Sequence, residues 1–377
     1  MLEPYREVDI AVIGAGASGL ALAYSLRAIG QQPLRDFLII DDHVSPGATW
    51  QDGWEWVSIG SALRASEIAD LPGQAEVGLG FATFDPRSKV RDVVPEVWRR
   101  YQDAYGLFVA HGVRAVSVDQ RRRQHELEIT VTVPGGDRRV IRAGLVVNAT
   151  GSWSRPFVPW YAGLDRFAGE TLHMYQVTSL AHLADKRVLV VGGGRSAVAA
   201  LLELERRGAA TVWSTLRDPD FQELPKFGLP RSPLRVADMG LRRQSRLERM
   251  VERGKWLPSD ASLRGIPMTR SVFEARRRGV LHSRGPLARF ESDAVVFADG
   301  SREPIEAIVW ATGGREETRH LLPLGLRDAG GSVKVRAGWS RRDPRVGFLT
   351  YGPGVDASES LNRAVALAED AIDRVVG

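Results

Sequence analysis

The sequence predicts an α/β protein of two parallel-sheet units, the second inserted into the first. Three observations predict it. Two apolar strands each run into a glycine cluster and leave as a helix, at VDIAVIGAGASGLALAYSLRAIG and KRVLVVGGGRSAVAALLELERRG. Two further apolar strands end in the same triplet, Ala149-Thr150-Gly151 and Ala311-Thr312-Gly313. Beyond the second triplet, a last strand (VGFLTYG) and a helix from about Ser360 to Val375 complete the pattern of the first unit.

The first turn follows the run Val8–Ile13. Gly14, Gly16 and Gly19 form G-x-G-x-x-G with Ser18 inside it, and Leu20, Leu22, Ala23, Leu26 and Ile29 continue at helical spacing to Gly30, a C-cap. Gly14 permits the tight turn, Gly16 lets the backbone approach a pyrophosphate at the positive helix end, and Gly19 lets helix and strand pack closely. The next strand, FLIID, ends in Asp41, the position of a ribose-binding carboxylate. Strand, glycines, helix, strand and acid in this order define a dinucleotide-binding, Rossmann-like unit.

The second turn follows Val188–Val191. Gly192, Gly193 and Gly194 lead into Arg195, Ser196 and a helix from Ala197 to Arg206 that closes at Gly208; Ala197 takes the third glycine position. The next strand, ATVWSTL, ends at Arg217 rather than at an acid. An arginine there pairs with a ribose 2'-phosphate, and Arg195 supplies a second cation, so NADPH is expected over NADH. Arg217 as one more surface arginine is the alternative. Two facing dinucleotide sites, one with an acid for an unphosphorylated ribose such as that of FAD, suggest hydride passing from nicotinamide to flavin.

Composition narrows the chemistry. At 377 residues and 44% hydrophobic the chain is globular, with length for two or three domains. No apolar run spans a bilayer and no signal peptide is evident, so a soluble, cytoplasmic protein is expected. Net charge is +5, with only five lysines among 51 basic residues. The basic runs at Arg121–Arg123, Arg242–Arg249 and Arg276–Arg278 come without a recognition motif, which argues against nucleic acid. With no cysteine there is no Cys-x-x-Cys exchange and no thiolate metal site. The seven histidines are scattered, so no metal is expected.

These segments resemble the class B flavoprotein monooxygenases, the group of flavin-containing and Baeyer–Villiger monooxygenases, over nearly the whole chain and closest to its compact bacterial members. The resemblance implies FAD at Gly14, Gly16, Ser18, Gly19 and Asp41, with Gly47-Ala48-Thr49-Trp50 matching the flavin segment and Trp50 its tryptophan. It implies joining strands at Thr150, Gly151, Thr312 and Gly313, and NADPH at Gly192, Gly194, Arg195, Ser196 and Arg217. Gly352-Pro353-Gly354-Val355-Asp356 stands for the C-terminal flavin segment, with Asp356 as its acid. Phe167, Gly169 and His173 match the group's F-x-G-x-x-x-H-x-x-x-W, with Val177 in place of tryptophan, and Arg195 replaces an asparagine. The asparagine that flavin-containing monooxygenases place after the flavin segment is not evident. His173 reads as a linker residue rather than an acid–base catalyst.

The expected organisation is an FAD domain at 1–153 and 311–377 with an NAD(P)H domain at 154–310. Asp218–Arg264 is a candidate lid or a solvated excursion. Val94, Val97, Trp98, Tyr101 and Tyr105 form a core stripe. The implied activity is NADPH-dependent oxygenation of a small sulfide, amine or ketone through a C4a-hydroperoxyflavin. The alternatives are a flavin reductase or oxidase serving a quinone, oxygen or a protein, and a non-catalytic nucleotide-binding module. The expected partners are a small-molecule substrate and oxygen, with no nucleic acid and no membrane; a homodimer is allowed.

Overall fold

A computed structural model describes residues 5–65, 67–120, 126–223, 249–250, 253, 265–329, 331–351 and 357–376. In chain order, the first part holds β1 (Tyr5–Ile13), α1 (Ala17–Ala28), β2 (Phe37–Asp41), α2 (Ile59–Arg64), α3 (Val90–Tyr105), β3 (Val109–His111), β4 (Arg114–Gln120), β5 (Leu127–Thr132) and β6 (Arg138–Asn148). The middle holds β7 (Glu170–His173), β8 (Arg187–Val191), α4 (Arg195–Arg206), β9 (Ala210–Ser214), β10 (Phe221–Gln222), β11 (Ile266–Pro267), α5 (Arg270–Arg277), β12 (Leu287–Phe290), β13 (Ala294–Phe297), β14 (Arg302–Pro304) and β15 (Ala307–Trp310). The chain ends with β16 (Val335–Arg336), β17 (Trp339–Ser340), β18 (Val346–Phe348) and α6 (Ala357–Val376).

Two sheets organise these elements. The first runs β16-β17-β18-β6-β1-β2-β3, with β18, β6, β1, β2 and β3 parallel; β5 pairs antiparallel with β6 and carries β4. The second is all parallel, in the order β7-β15-β8-β9. A smaller antiparallel sheet, β12-β13-β14, shares a core with it.

The period of two along β1 feeds two cores. Ile10 and Val12 join Leu20, Leu22 and Leu26 of α1, Val94, Val97, Trp98 and Tyr101 of α3, and Leu361, Leu367 and Ala371 of α6. Ala11 and Ile13 face Val118, Leu127 and Ile129. The second sheet is likewise covered twice: Val188 and Val190 meet Leu201 and Leu204 of α4, while Leu189 and Ile308 meet Phe290 and Phe297. Full burial of each such side chain contributes about 1.5–3 kcal/mol. The stripe read on α3 is core, with Tyr105 half-buried at its end.

Two boundaries differ from expectation. The strand expected over ATVWSTL stops at Ser214: its partner β8 ends at Val191, opposite Ser214, and Thr215 turns to meet Ser283 (Oγ1–Oγ 2.6 Å). Arg217 therefore lies in the turn beyond the strand. The closing helix starts earlier, at Ala357. Of the excursion at 218–264, residues 224–248, 251–252 and 254–264 lie outside the described residues, as does Asp356. Among the described residues, no helix is long and apolar enough to cross a membrane.

Candidate functional site

The carboxyl ends of β1, β2 and β6 lie side by side, which gathers Gly14, Asp41 and Thr150 at one edge of the first sheet. Gly14 has φ +109°, and a Cβ there would stand 2.6 Å from the Ala149 carbonyl oxygen. Gly19 is closed to any side chain by the Gly14 carbonyl. Gly16 differs: its φ is −70°, and a Cβ there would meet nothing within 4 Å. The α1 N-terminus has no side-chain cap and no acid in its first turn, so its backbone donors face that open space. Ser18 is buried in this turn.

Asp41 is buried and does two things. Oδ2 accepts the Ala15 N–H at 2.6 Å and Oδ1 accepts the His43 N–H at 2.9 Å, so the carboxylate pins the turn. An ionised carboxylate has further acceptor sites for a ligand hydroxyl. His43 Nδ1 lies 3.3 Å from Asp41 and 3.2 Å from Asp42, and hydrogen bonds to the two acids lift its pKa to about 10. The ring thus stays protonated at neutral pH. Trp50 ends a short 3-10 turn, half-buried against the α1–α3 core. Gly47 before it has φ +106° and lies against Pro95.

The second turn repeats the first. Gly192 has φ +139°, and a Cβ there would collide with the Ala311 carbonyl oxygen, as one on Gly14 would with Ala149. This accounts for the two Ala-Thr-Gly triplets. In each, the alanine carbonyl fills the space that the first glycine's missing side chain leaves. The threonines then anchor the crossing strands: the Thr150 hydroxyl donates to the Glu317 carbonyl (2.7 Å) and that of Thr312 to the Phe157 carbonyl. Gly151 and Gly313 take φ +65° and +70°. Gly194 caps α4 without a side-chain bond, and Ser196 is half-buried in its first turn.

Beside this turn is a cavity of about 380 Å³ lined by Gly192, Gly193, Ser214, Arg217, Ala311 and Thr312, with Asp218 and Asp220 also on its wall. Arg217 is exposed there. Arg195 is not among the lining residues. Its Nη1 donates to the Ala65 carbonyl (2.6 Å) and its Nε to the Gly265 carbonyl (3.1 Å). The Arg195 guanidinium is thus engaged by backbone carbonyls, whereas Arg217 lies exposed on the cavity wall.

His173 is buried at the end of β7. Its Nδ1 accepts the Tyr175 N–H at 3.1 Å, and burial holds its pKa below the ordinary value. Val177 is core, packed with Met174 and Leu180. Sequence reasoning missed an aromatic stack: Tyr175 on Trp153 (centroids 4.1 Å apart), Trp153 beside Trp54 (5.9 Å) and Trp54 on Trp56 (5.6 Å). It also missed the bonds from residues 54–55 to the second unit, Trp54 Nε1 to the Met174 carbonyl (2.7 Å) and Arg207 Nη2 to Glu55 (2.7 Å). Tryptophan spacing was the one available signal, and spacing alone does not show which rings meet.

Residues 11–227 match the model of the pyridine nucleotide-disulphide oxidoreductase family, and the chain belongs to that family. Within it the chain is a flavin-dependent oxidoreductase of the class B flavoprotein monooxygenase group. It is 26% identical to the indole-3-pyruvate monooxygenase YUCCA1 of Oryza sativa subsp. japonica, over 94% of this chain and 89% of that one. A flavin-containing monooxygenase from Stenotrophomonas maltophilia shares 28% identity and superposes with a TM-score of 0.75, covering 98% of both chains. The FAD-containing monooxygenase EthA of Mycolicibacterium smegmatis is 24% identical over 56% of this chain, which spans only 42% of that longer protein.

Proposed function

We propose that the chain holds FAD at the first glycine turn and NADPH at the second, and oxygenates a small sulfide, amine or ketone. The observation that carries this reading is the duplication itself: two parallel sheets, each ending a central strand in a glycine turn braced by an Ala-Thr-Gly carbonyl and opening onto an uncapped helix. The corresponding division is an FAD domain of 1–153 and 311–377 around an NADPH domain of 154–310. In its favour, β18 pairs with β6 while β15 pairs with β8.

The residues fit the groups. Space at Gly16 and the bare α1 N-terminus suit a pyrophosphate, and Asp41 suits a ribose diol. Gly14, Ser18, Gly19, Trp50, Thr150 and Gly151 shape that site. Gly192, Gly194, Ser196, Thr312 and Gly313 shape the second, with Arg217 for the 2'-phosphate. When bound, NADPH supplies a hydride and the flavin the oxygen-activating centre. The chain's own part is to hold the two nucleotides in register and exclude water. The ties from residues 54–55 and from Thr150 and Thr312 serve that register. With no cysteine, its own side chains run no disulfide exchange, whatever the family's name.

The test is labelled-oxygen incorporation into sulfide, amine and ketone panels with NADPH. A labelled product is expected; stoichiometric hydrogen peroxide with no labelled product from any panel overturns the reading in favour of an oxidase. Coenzyme choice has its own test. Arg217→Ala is expected to raise KM for NADPH about tenfold, the loss of one charge-assisted hydrogen bond, and to leave KM for NADH nearly unchanged. Equal shifts for both coenzymes would remove Arg217 from the 2'-phosphate.

A further inference from the structure

A second cavity lies beyond the two glycine turns, with Arg195 of the second turn on its wall. A groove of about 900 Å³ runs between α2, the start of α3, the flank of α4 and residues 266–272. Its lining is apolar at Trp56, Val57, Val198, Leu202 and Ile266. The Trp56 ring is backed by Trp54, parallel to within 2° at 5.6 Å.

Glu67 lines this groove, half-buried. It differs from the other acids there. Glu203 is paired with Arg206 (2.7 Å) and Arg207 (2.6 Å), and Glu55 with Arg207 (2.7 Å). Asp92 is exposed in the first turn of α3. The Glu67 carboxylate accepts no hydrogen bond from any described residue. Its charged neighbour, Arg195, directs Nη1 and Nε to the Ala65 and Gly265 carbonyls. Burial pushes the Glu67 carboxyl above its usual range against the pull of Arg195. Of the other cations on the wall, Arg64 and Lys89 are exposed and solvated, Arg91 is half-buried, and Arg206 and Arg207 are held by Glu203 and Glu55.

We propose that this groove is a binding site for a small organic cation, an ammonium group on an aromatic or apolar body, with the ammonium at Glu67 and the body against Trp56 and Leu202. A half-buried acceptor without a donor among the described residues, beside an apolar wall, gains most from a ligand that brings both charge and N–H donors. The aromatic face adds to the attraction for a cation. A carboxylate ligand would meet Glu67 itself. The site goes beyond the oxygenase reading and does not depend on it, because binding is measured without turnover.

The test uses the protein as isolated, with its flavin, at pH 8 in low salt. Three probes of one shape are titrated calorimetrically: 2-phenylethylammonium, 2-phenylethanol and 3-phenylpropanoate. The ammonium is expected to bind at least about tenfold more tightly than the alcohol, as one charge-assisted hydrogen bond provides. Glu67→Gln should bring ammonium and alcohol within about twofold of each other while leaving the affinity for the alcohol unchanged. Ala199→Arg, a helix-compatible change that puts a cation in the groove, should abolish ammonium binding; its melting temperature checks the fold, and it stands in if Glu67→Gln does not fold. Equal affinity for ammonium and alcohol, tightest binding of the carboxylate, a preserved preference in Glu67→Gln, or unchanged binding in Ala199→Arg would each overturn the proposal.

Discussion

Gly16→Ala is expected to fold like the parent and to lose its flavin. The backbone at Gly16 has φ −70°, which alanine adopts without strain, and a Cβ there touches nothing within 4 Å. A methyl group costs the free protein nothing by packing. It would stand where a pyrophosphate must approach the backbone, and overpacking of that kind costs about 1–3 kcal/mol, or roughly tenfold to a hundredfold in affinity. Gly19→Ala is the contrast, because its methyl collides with the Gly14 carbonyl and the turn itself must move. Flavin content by absorbance after denaturation, with melting temperature alongside, separates the two. Full flavin occupancy in Gly16→Ala would mean that no pyrophosphate lies over this turn.

Gly192→Ala should block reduction by NADPH while sparing FAD. Here the backbone is at φ +139° and the added methyl would collide with the Ala311 carbonyl oxygen. Left-handed strain and backbone overpacking each cost about 1–3 kcal/mol, so the second turn must open or shift. Gly192 belongs to the second sheet, and the turn expected to hold FAD belongs to the first. The variant should therefore remain yellow and reducible by dithionite, while its rate of reduction at fixed NADPH falls about a hundredfold or more. A rate within twofold of the parent's would show that the nicotinamide cofactor binds elsewhere.

These expectations draw on two kinds of information. Both strand–turn–helix units, Asp41 at the end of β2, the α3 core stripe and the Ala-Thr-Gly triplets were legible in the sequence. Each is written within a few consecutive residues, through apolar periodicity and the backbone freedom of glycine. The strand end at Ser214 was less legible. It depends on where β8 ends and on Ser283, which are distant in sequence.

The sequence by itself determined that the chain makes two nucleotide-type turns and has no thiol chemistry of its own. Only the tertiary structure decided which side chains share a site. Arg195 and Arg217 are equivalent as letters near the same turn. Carbonyls of Ala65 and Gly265, from segments 130 and 70 residues away, engage the Arg195 guanidinium, whereas Arg217 stands exposed at the cavity. Tertiary packing likewise places Glu67 on the wall of a groove and brings together four aromatic rings drawn from three segments. The reason is physical. Local conformation follows from neighbouring residues, whereas the partner of a long polar or aromatic side chain is set by whatever surface the fold brings within a few ångströms.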